Sequence, residues 1–456
     1  MLSKLKHDAA QPQAQQPPRK KQRTANEHSS NHLQHTLLQN NNNSNHPFPK
    51  QKVTTIYLAC PPNVQTGGPE AMHQLCHKIN SVGNDHNNQT SSKVTAYILY
   101  VKEQSKHKNH AQHVPHATPL RAYESTYSDL KVATSFPMFD ENVNYEESND
   151  GNENDPVSLY NNSLIIWPEC WTHLIDSFQP SENDDSTLHG RRKRFQTAIW
   201  WLSVNNNNSK FKDWKRKDIL HLHQSEYAKC YVSDNIRKQN DINPEASEMM
   251  SQQDAKLSSA DDKKGDSKST SSSNDTMLDN IIPMTEFIPH DRYCDHISSS
   301  VQRTLQIVYN PFKGVHYTDS IIKRSSAKFT FTPIGSIEKR ISPSDVTKML
   351  NSAKVYIDFG PHPGMDRLPR EAALCGCIVI TNMQGAAFYN DDVPIPAEYK
   401  VKDFDVDLIH RLLTSCIDNF DKKEKDFDSY RNWIRSQESK MDSCVTDLVS
   451  RISLKR

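Results

Sequence analysis

Glycine is scarce in this chain: 12 of 456 residues, about 2.6% where ordinary chains run near 7%. Hydrophobic residues make up 35%, also below the roughly 45–50% apolar share of globular domains. A large part of the chain therefore cannot be packed core. No stretch approaches the ~18–20 consecutive apolar residues of a membrane span, and the opening MLSKLKHDAAQPQAQQ lacks the apolar centre of a secretory signal. A cytoplasmic protein is expected. Net charge is missing too. Lys+Arg 55 balances Asp+Glu 55, which excludes a chain-wide field that would gather nucleic acid or an anionic membrane. The nine cysteines show no metal-type repeat, and the one tight pair, Cys375 and Cys377, has CxC rather than CxxC spacing. Cys60, Cys375 and Cys377 sit in apolar runs and read as buried structural thiols.

What is present divides by composition. Residues 1–51 are rich in Gln, Asn, His and Pro and bury too little apolar area to offset ordering entropy, so a disordered tail is expected. Its PPRKKQR cluster, Pro17 to Arg23, reads as a solvated basic tail or as a nuclear address. Residues 52–235 hold the apolar runs VTTIYLA, VTAYILYV, SLIIWPE, FQTAIWWLSV and DILHLHQSEYAKCYV, interrupted by a polar, acidic insert at about 102–157. Residues 236–279, rich in Ser, Asp, Lys and Gln, read as a linker. From 280 to 402 strands and helices alternate regularly: LQIVYN, GVHYTDSIIKRS, KFTFTPI, SPSDVTKMLNSA, KVYIDFG, RLPREAALCG, CIVIT. Such alternation means parallel sheets with right-handed crossovers. The fold class is therefore α/β, two Rossmann-like doubly wound domains facing a cleft. Residues 403–456 close the chain as helices, at Asp403 to Arg435 and Met441 to Ile452.

In such sheets ligands bind outside the carboxyl ends of strands, and three loops there carry chemistry. In QTGGPEAMHQ, Gly67 and Gly68 let backbone N–H groups approach a phosphate, or simply form a tight strand-to-helix turn. His73 and His77 follow at i, i+4, a zinc-compatible spacing with no third ligand placed to complete it; satisfied histidines are the simpler reading. In YNPFKG, Lys313 is placed to neutralise a diphosphate, or is a solvated turn lysine. The third loop, FGPHPGMDRLPREAALCGCIVIT, gathers His362, Asp366, Arg367, Arg370 and Glu371 between a strand and the first turn of a helix. A helix start with arginines suits an anion, and a first-turn glutamate can accept from two neighbouring hydroxyls. The alternative is a helix-terminal Arg–Glu pair with a capping carboxylate. Asp391 and Asp392 follow a turn and read as solvated.

Strand-GG-E-helix, NPFKG and REAALCGCIVIT together resemble the GT-B glycosyltransferases, in particular a capsule- or polysaccharide-type branch with a Glu-Ala-x-x-x-Gly second-domain signature. The resemblance spans about 53–103, 163–233 and 281–400. It implies a first domain that holds the acceptor, a second that holds a nucleoside diphosphate sugar, and a terminal helix that crosses back. Glu371 then matches the glutamate that binds the donor ribose, and Lys313 the lysine on the diphosphate. Gly67 and Gly68 match the glycine turn facing donor phosphates, and Gln384, Gly385 and Ala386 continue the pocket wall. Two positions depart from the pattern. Where paired-glutamate members have an earlier glutamate, eight positions before the ribose-binding one, this chain has Pro363. Ahead of Lys313, where members often have an arginine, it has Tyr309 and Asn310; Arg367 or Arg370 can compensate.

The expected activity is sugar transfer from a nucleoside diphosphate sugar to a hydroxyl of a glycan or small-molecule acceptor. His362, Asp366 or Glu70 would act on the acceptor proton. The leaving charge would fall on Lys313, the arginines and backbone N–H groups, without a cofactor or metal. Two other readings stay open: a GT-B-like protein that binds sugar nucleotide or carbohydrate without turnover, and a nuclear nucleic-acid-associated protein resting on PPRKKQR and on RRKR at Arg191 to Arg194. Zero net charge disfavours the last.

Overall fold

β-Branched and aromatic runs form the strands, and the central ones, such as SLIIWP and QTAIWW, are buried along their whole length because both faces of a parallel sheet are covered. A computed structural model describes residues 53–62, 64, 66–82, 94–101, 130–133, 162–175, 195–204, 211–214, 216–241, 278–294, 302–336 and 341–453. Both basic clusters and most of the expected tail, insert and linker lie outside the described residues.

The first sheet holds β1 (Thr55–Cys60), β2 (Thr95–Tyr100), β3 (Ser163–Pro168), β4 (Gln196–Trp201), β5 (Ile219–His223) and β6 (Ile281–Pro283), in the order β2-β1-β3-β4-β5-β6. All pairings are parallel, as in Ile56 beside Ala96 and Leu164. The period-2 geometry of a strand sends neighbours to opposite faces. Ile56, Leu58, Ala198 and Trp200 thus enter one core, while Ala59, Ile199 and Trp201 enter the other. Helices α1 (Gly67–Val82) and α2 (Glu226–Asp241) follow β1 and β5.

The second sheet comprises β7 (Leu305–Tyr309), β8 (Phe331–Pro333), β9 (Ala353–Asp358), β10 (Ile378–Asn382) and β11 (Lys400–Val401), ordered β11-β10-β9-β7-β8 and again parallel. Its helices are α3 (Val315–Ser325), α4 (Pro343–Ser352), α5 (Arg367–Leu374) and α6 (Val406–Asp418). Ser342 caps α4 by accepting from the Asp345 N–H, with Pro343 in the first turn, where its missing donor costs nothing. The last helix, α7 (Asp428–Ser453), returns to the first sheet. Its Met441, Cys444, Val445 and Leu448 pack with Met72, Leu75 and Ile79 of α1, and Lys78 binds Glu438 and Asp442, each at 2.9 Å. No helix among the described residues is long and apolar enough to cross a membrane.

Several boundaries differ from the sequence expectation. Ile281–Pro283, placed at the start of the second domain, pairs with β5 and belongs to the first sheet. Within the expected insert, the Ala133 N–H donates to the Ile98 carbonyl at 2.9 Å and extends the β2 edge. Helix α2 continues to Asp241, past the expected linker start. The break between the two final helices is absent from α7, since SQESK at 436–440 contains neither Gly nor Pro to interrupt it. Cys60, Cys375 and Cys377 are buried thiols.

Candidate functional site

Strand β9 ends in Asp358, and the loop that follows folds back on it. The Asp358 carboxylate accepts from Tyr356 Oη at 3.0 Å and from the Gly360 N–H at 3.3 Å. Asn382 at the end of β10 holds the same loop, donating to the Phe359 and Gly360 carbonyls. Lys313, from the loop after β7, lies across Gly360, where any Cβ would collide with its stem. Gly314 is left-handed, φ +61°, and a Cβ there would be 2.6 Å from the Gly360 nitrogen. These glycines allow two strand-end loops to touch.

The Lys313 ammonium is thereby set between two carboxylates, 3.2 Å from Asp358 Oδ2 and 2.5 Å from Asp366 Oδ2. Burial alone would lower its pKa, but the two aspartates outweigh burial and raise it. Burial would likewise raise Asp366, and the hydrogen bond from His362 with the charge of Lys313 lowers it instead. His362 Nδ1 donates to Asp366 Oδ2 at 2.9 Å. Its Nε2 has no hydrogen-bond partner among the described residues and stands 3.9 Å from Asp358 Oδ1. Asp358, His362 and Asp366 are close enough to share a metal ion. Lys313 already places a cation against both carboxylates.

The other half of the site is a network of arginines and glutamates that joins the two sheets. Arg367, first residue of α5, reaches Glu286 at 3.0 Å, Glu70 at 3.4 Å and Glu371 at 3.4 Å. Burial opposes its charge, but Glu286, Glu70 and Glu371 raise its pKa. Arg370 is fully buried, pairs with Glu286 and donates to the Asp366 and Met365 carbonyls. Gln224 ties the halves together, donating to Glu286 at 3.1 Å and accepting from the Met365 N–H at 3.2 Å. A Cβ on Gly364 would strike the Leu202 carbonyl, so this loop meets the first domain backbone to backbone.

Gly67 and Gly68 are the first two residues of α1 and not a turn before it; neither has positive φ. Gly67 leaves room for the Arg367 stem: a Cβ there would be 2.9 Å from Arg367 Cδ, and the arginine would have to shift. Gly385, with φ +57°, lies against the His362 carbonyl, which accepts from the Ala386 N–H at 2.8 Å. All ten candidate residues thus fall along the carboxyl ends of β1, β7, β9 and β10. Sequence reasoning missed Glu286, Gln224 and Asp358. Asp358 ends the run VYID, a buried carboxylate after three apolar residues, and that position was the available signal.

Asp392 is a correction. It is buried, not solvated, and accepts from the Glu226 and Tyr227 N–H groups at the start of α2, at 2.7 and 3.0 Å. Burial pushes its carboxyl up to about 6, against the lowering effect of those two donors. Of the pair considered for zinc, His73 is held by the Pro69 carbonyl and Tyr100 Oη.

Charges in the site do not balance. Glu70, Glu286, Asp358, Asp366 and Glu371 supply five carboxylates against Lys313, Arg367 and Arg370. Each cation is already paired, so an anionic ligand must exchange partners with the protein.

No family model matches this chain, and no curated protein matches it. Among solved structures, Alr3699/HepE of Anabaena in complex with UDP and glucose aligns with TM-score 0.50 at 11% identity, covering 87% of this chain and 100% of that one. The same protein in complex with UDP-glucose aligns with TM-score 0.50 at 10% identity, covering 87% and 99%. At such identity the likeness is one of fold: two parallel-sheet α/β domains, the GT-B fold.

Proposed function

We propose that the protein transfers a sugar from a nucleoside diphosphate sugar to an acceptor hydroxyl. The observation that carries this reading is the position of Glu371. It lies on the helix after β9, at the carboxyl edge of the second sheet, with Arg367 between it and Gly67 at the start of α1. The fold is one whose solved counterpart holds UDP-glucose. In this reading Glu371 accepts from the donor ribose hydroxyls. Lys313, Arg367 and the N–H groups of Gly67 and Gly68 take the charge of the departing diphosphate as the sugar passes through a cationic transition state. His362 and Asp366 are committed to each other and to Lys313. Glu70, the candidate that stands on the first domain and also meets Arg367, is assigned to the acceptor proton, with His362 and Asp366 setting Lys313 in place. With cationic side chains at the leaving group, the reading calls for no metal.

The test is product formation by the full chain from UDP-glucose and other nucleoside diphosphate sugars, with mono- and oligosaccharide acceptors, followed by mass spectrometry. One donor is expected to give a glycosylated product, resistant to EDTA, with the rate lowered about 10²–10³-fold in Lys313→Ala. Donor binding with neither transfer nor hydrolysis would instead favour the non-catalytic sugar-nucleotide-binding reading. That reading is supported by Lys313 being held between two carboxylates.

A further inference from the structure

Arg367 lies where the proposed donor would lie. Its stem passes over Gly67, so closely that any side chain there would meet Cδ. Its guanidinium reaches Glu371, the proposed ribose ligand. The span from Glu371 to the start of α1 is thus filled by the protein's own side chain. Building on the donor reading above, we infer that Arg367 is a built-in occupant of the nucleotide site that yields only to a ligand bringing a diphosphate and a ribose together.

The three contacts of Arg367 are unequal, and the difference gives it a pivot. Nη1 to Glu286 is the shortest, 3.0 Å, while Nε to Glu371 and Nη2 to Glu70 are both 3.4 Å. Glu286 is further fixed by Arg370 and Gln224, so it stays in place whatever Arg367 does. Among the described residues, the partners of Glu371 are Arg367 and the Tyr293 hydroxyl. Rotation about the Glu286 contact would turn the guanidinium edge from Glu371 towards a phosphate without breaking its shortest ion pair. Both side chains are largely enclosed, with 15% and 12% exposure. Neither can be left without a partner cheaply.

This makes ligand entry an exchange. A diphosphate takes Arg367, and ribose hydroxyls then take Glu371, so each charged group replaces one partner by another. A nucleoside alone must pull Glu371 from Arg367 and offers the arginine nothing. Pyrophosphate alone takes Arg367 and leaves Glu371 with Tyr293 only. The two halves of the ligand are thereby coupled, and the site discriminates against each fragment by its own ion pair.

Calorimetric titration of the full chain with UDP, uridine and inorganic pyrophosphate tests this in wild type, Arg367→Met and Glu371→Gln. Arg367→Met keeps the apolar stem and removes the charge. Wild type is expected to bind UDP at least about 100-fold more tightly than either fragment, within the range of one or two charge-assisted hydrogen bonds. In Arg367→Met, UDP should weaken about 10-fold or more while uridine tightens, so the preference collapses. In Glu371→Gln, pyrophosphate should bind several-fold more tightly, because Arg367 is released. Uridine binding to Arg367→Met but not to wild type also supports the inference. It is overturned if UDP and uridine weaken by the same factor in Arg367→Met, or if pyrophosphate is indifferent to Glu371→Gln while UDP binds wild type normally. If none of these ligands, nor GDP or ADP with their nucleosides, binds any variant and all remain folded by circular dichroism, the donor reading fails and this inference with it.

Discussion

Glu286→Ala is expected to cost about 3–5 kcal/mol of stability, the penalty for removing one partner of a buried ion pair. Glu286 and Arg370 are each almost wholly inaccessible, and Arg370 pairs with no other carboxylate among the described residues. Its Nη1 already lacks a hydrogen-bond partner among the described residues. Without Glu286 the guanidinium would keep only the Asp366 and Met365 carbonyls, and Gln224 and Arg367 would each lose an acceptor. Glu286→Gln retains an acceptor oxygen and should cost roughly half as much, since a hydrogen bond to a charged group contributes about 1.5–3 kcal/mol. Urea unfolding of the three proteins measures the difference. A loss below about 1 kcal/mol for the alanine variant would mean that the network between the sheets is a solvated contact.

Acid should unfold the protein well above the range in which its carboxylates titrate, because two histidines are buried neutral. His73 donates through Nδ1 to the Pro69 carbonyl, so Nε2 accepts from Tyr100. His221 Nδ1 accepts from Trp201 Nε1 at 3.0 Å, among the rings of Trp214 and Phe211. A second proton breaks each arrangement. Burial lowers His73 to about 4 and His221 to about 3, from 6.5. A folded pKa below the unfolded one gives stability that is complete above 6.5 and is lost as pH falls, because the unfolded chain binds the proton first. At pH near 4.5 the two together should have lost roughly 5 kcal/mol. Asp392 acts oppositely. Its raised pKa gives a contribution that is present below about 3.8 and disappears as pH rises through about 6. It offsets part of the loss. Thermal melts from pH 7.5 to 4.5 should fall steeply below 6.5, and less so in His221→Gln; equal slopes in both proteins would contradict the assignment to His221.

What sequence made legible was local. From Leu305 to Asn382 each strand and helix carries its own period, cap or proline, and those elements fall where expected. The loop from Gly360 to Glu371 was legible as a site because unlike charges crowd a strand-to-helix turn. Contacts across the chain were not. Gln224 and Met365 are 141 positions apart and Glu286 and Arg370 are 84 apart, and nothing in MTEFIPH sets that glutamate apart from a surface one. Ile281–Pro283 is too short to reveal which sheet it joins. Gly67 and Gly68 read as a turn because glycine disfavours helices. In the structure the space taken by Arg367 explains Gly67 better than backbone conformation does. Asp392 read as solvated because the α2 donors that bury it lie about 165 positions away.

The central claim is a donor site built on Glu371, and ligand-dependent thermal unfolding tests it most directly. A ligand that binds only the folded form stabilises it by about 2.7 kcal/mol at a hundredfold excess over its dissociation constant. UDP, GDP, ADP, CMP and free sugars would be screened against wild type and Glu371→Ala. One nucleoside diphosphate should raise the transition of the wild type and leave that of Glu371→Ala unmoved. A nucleotide that stabilises both proteins equally, or a panel that stabilises neither, would contradict the assignment.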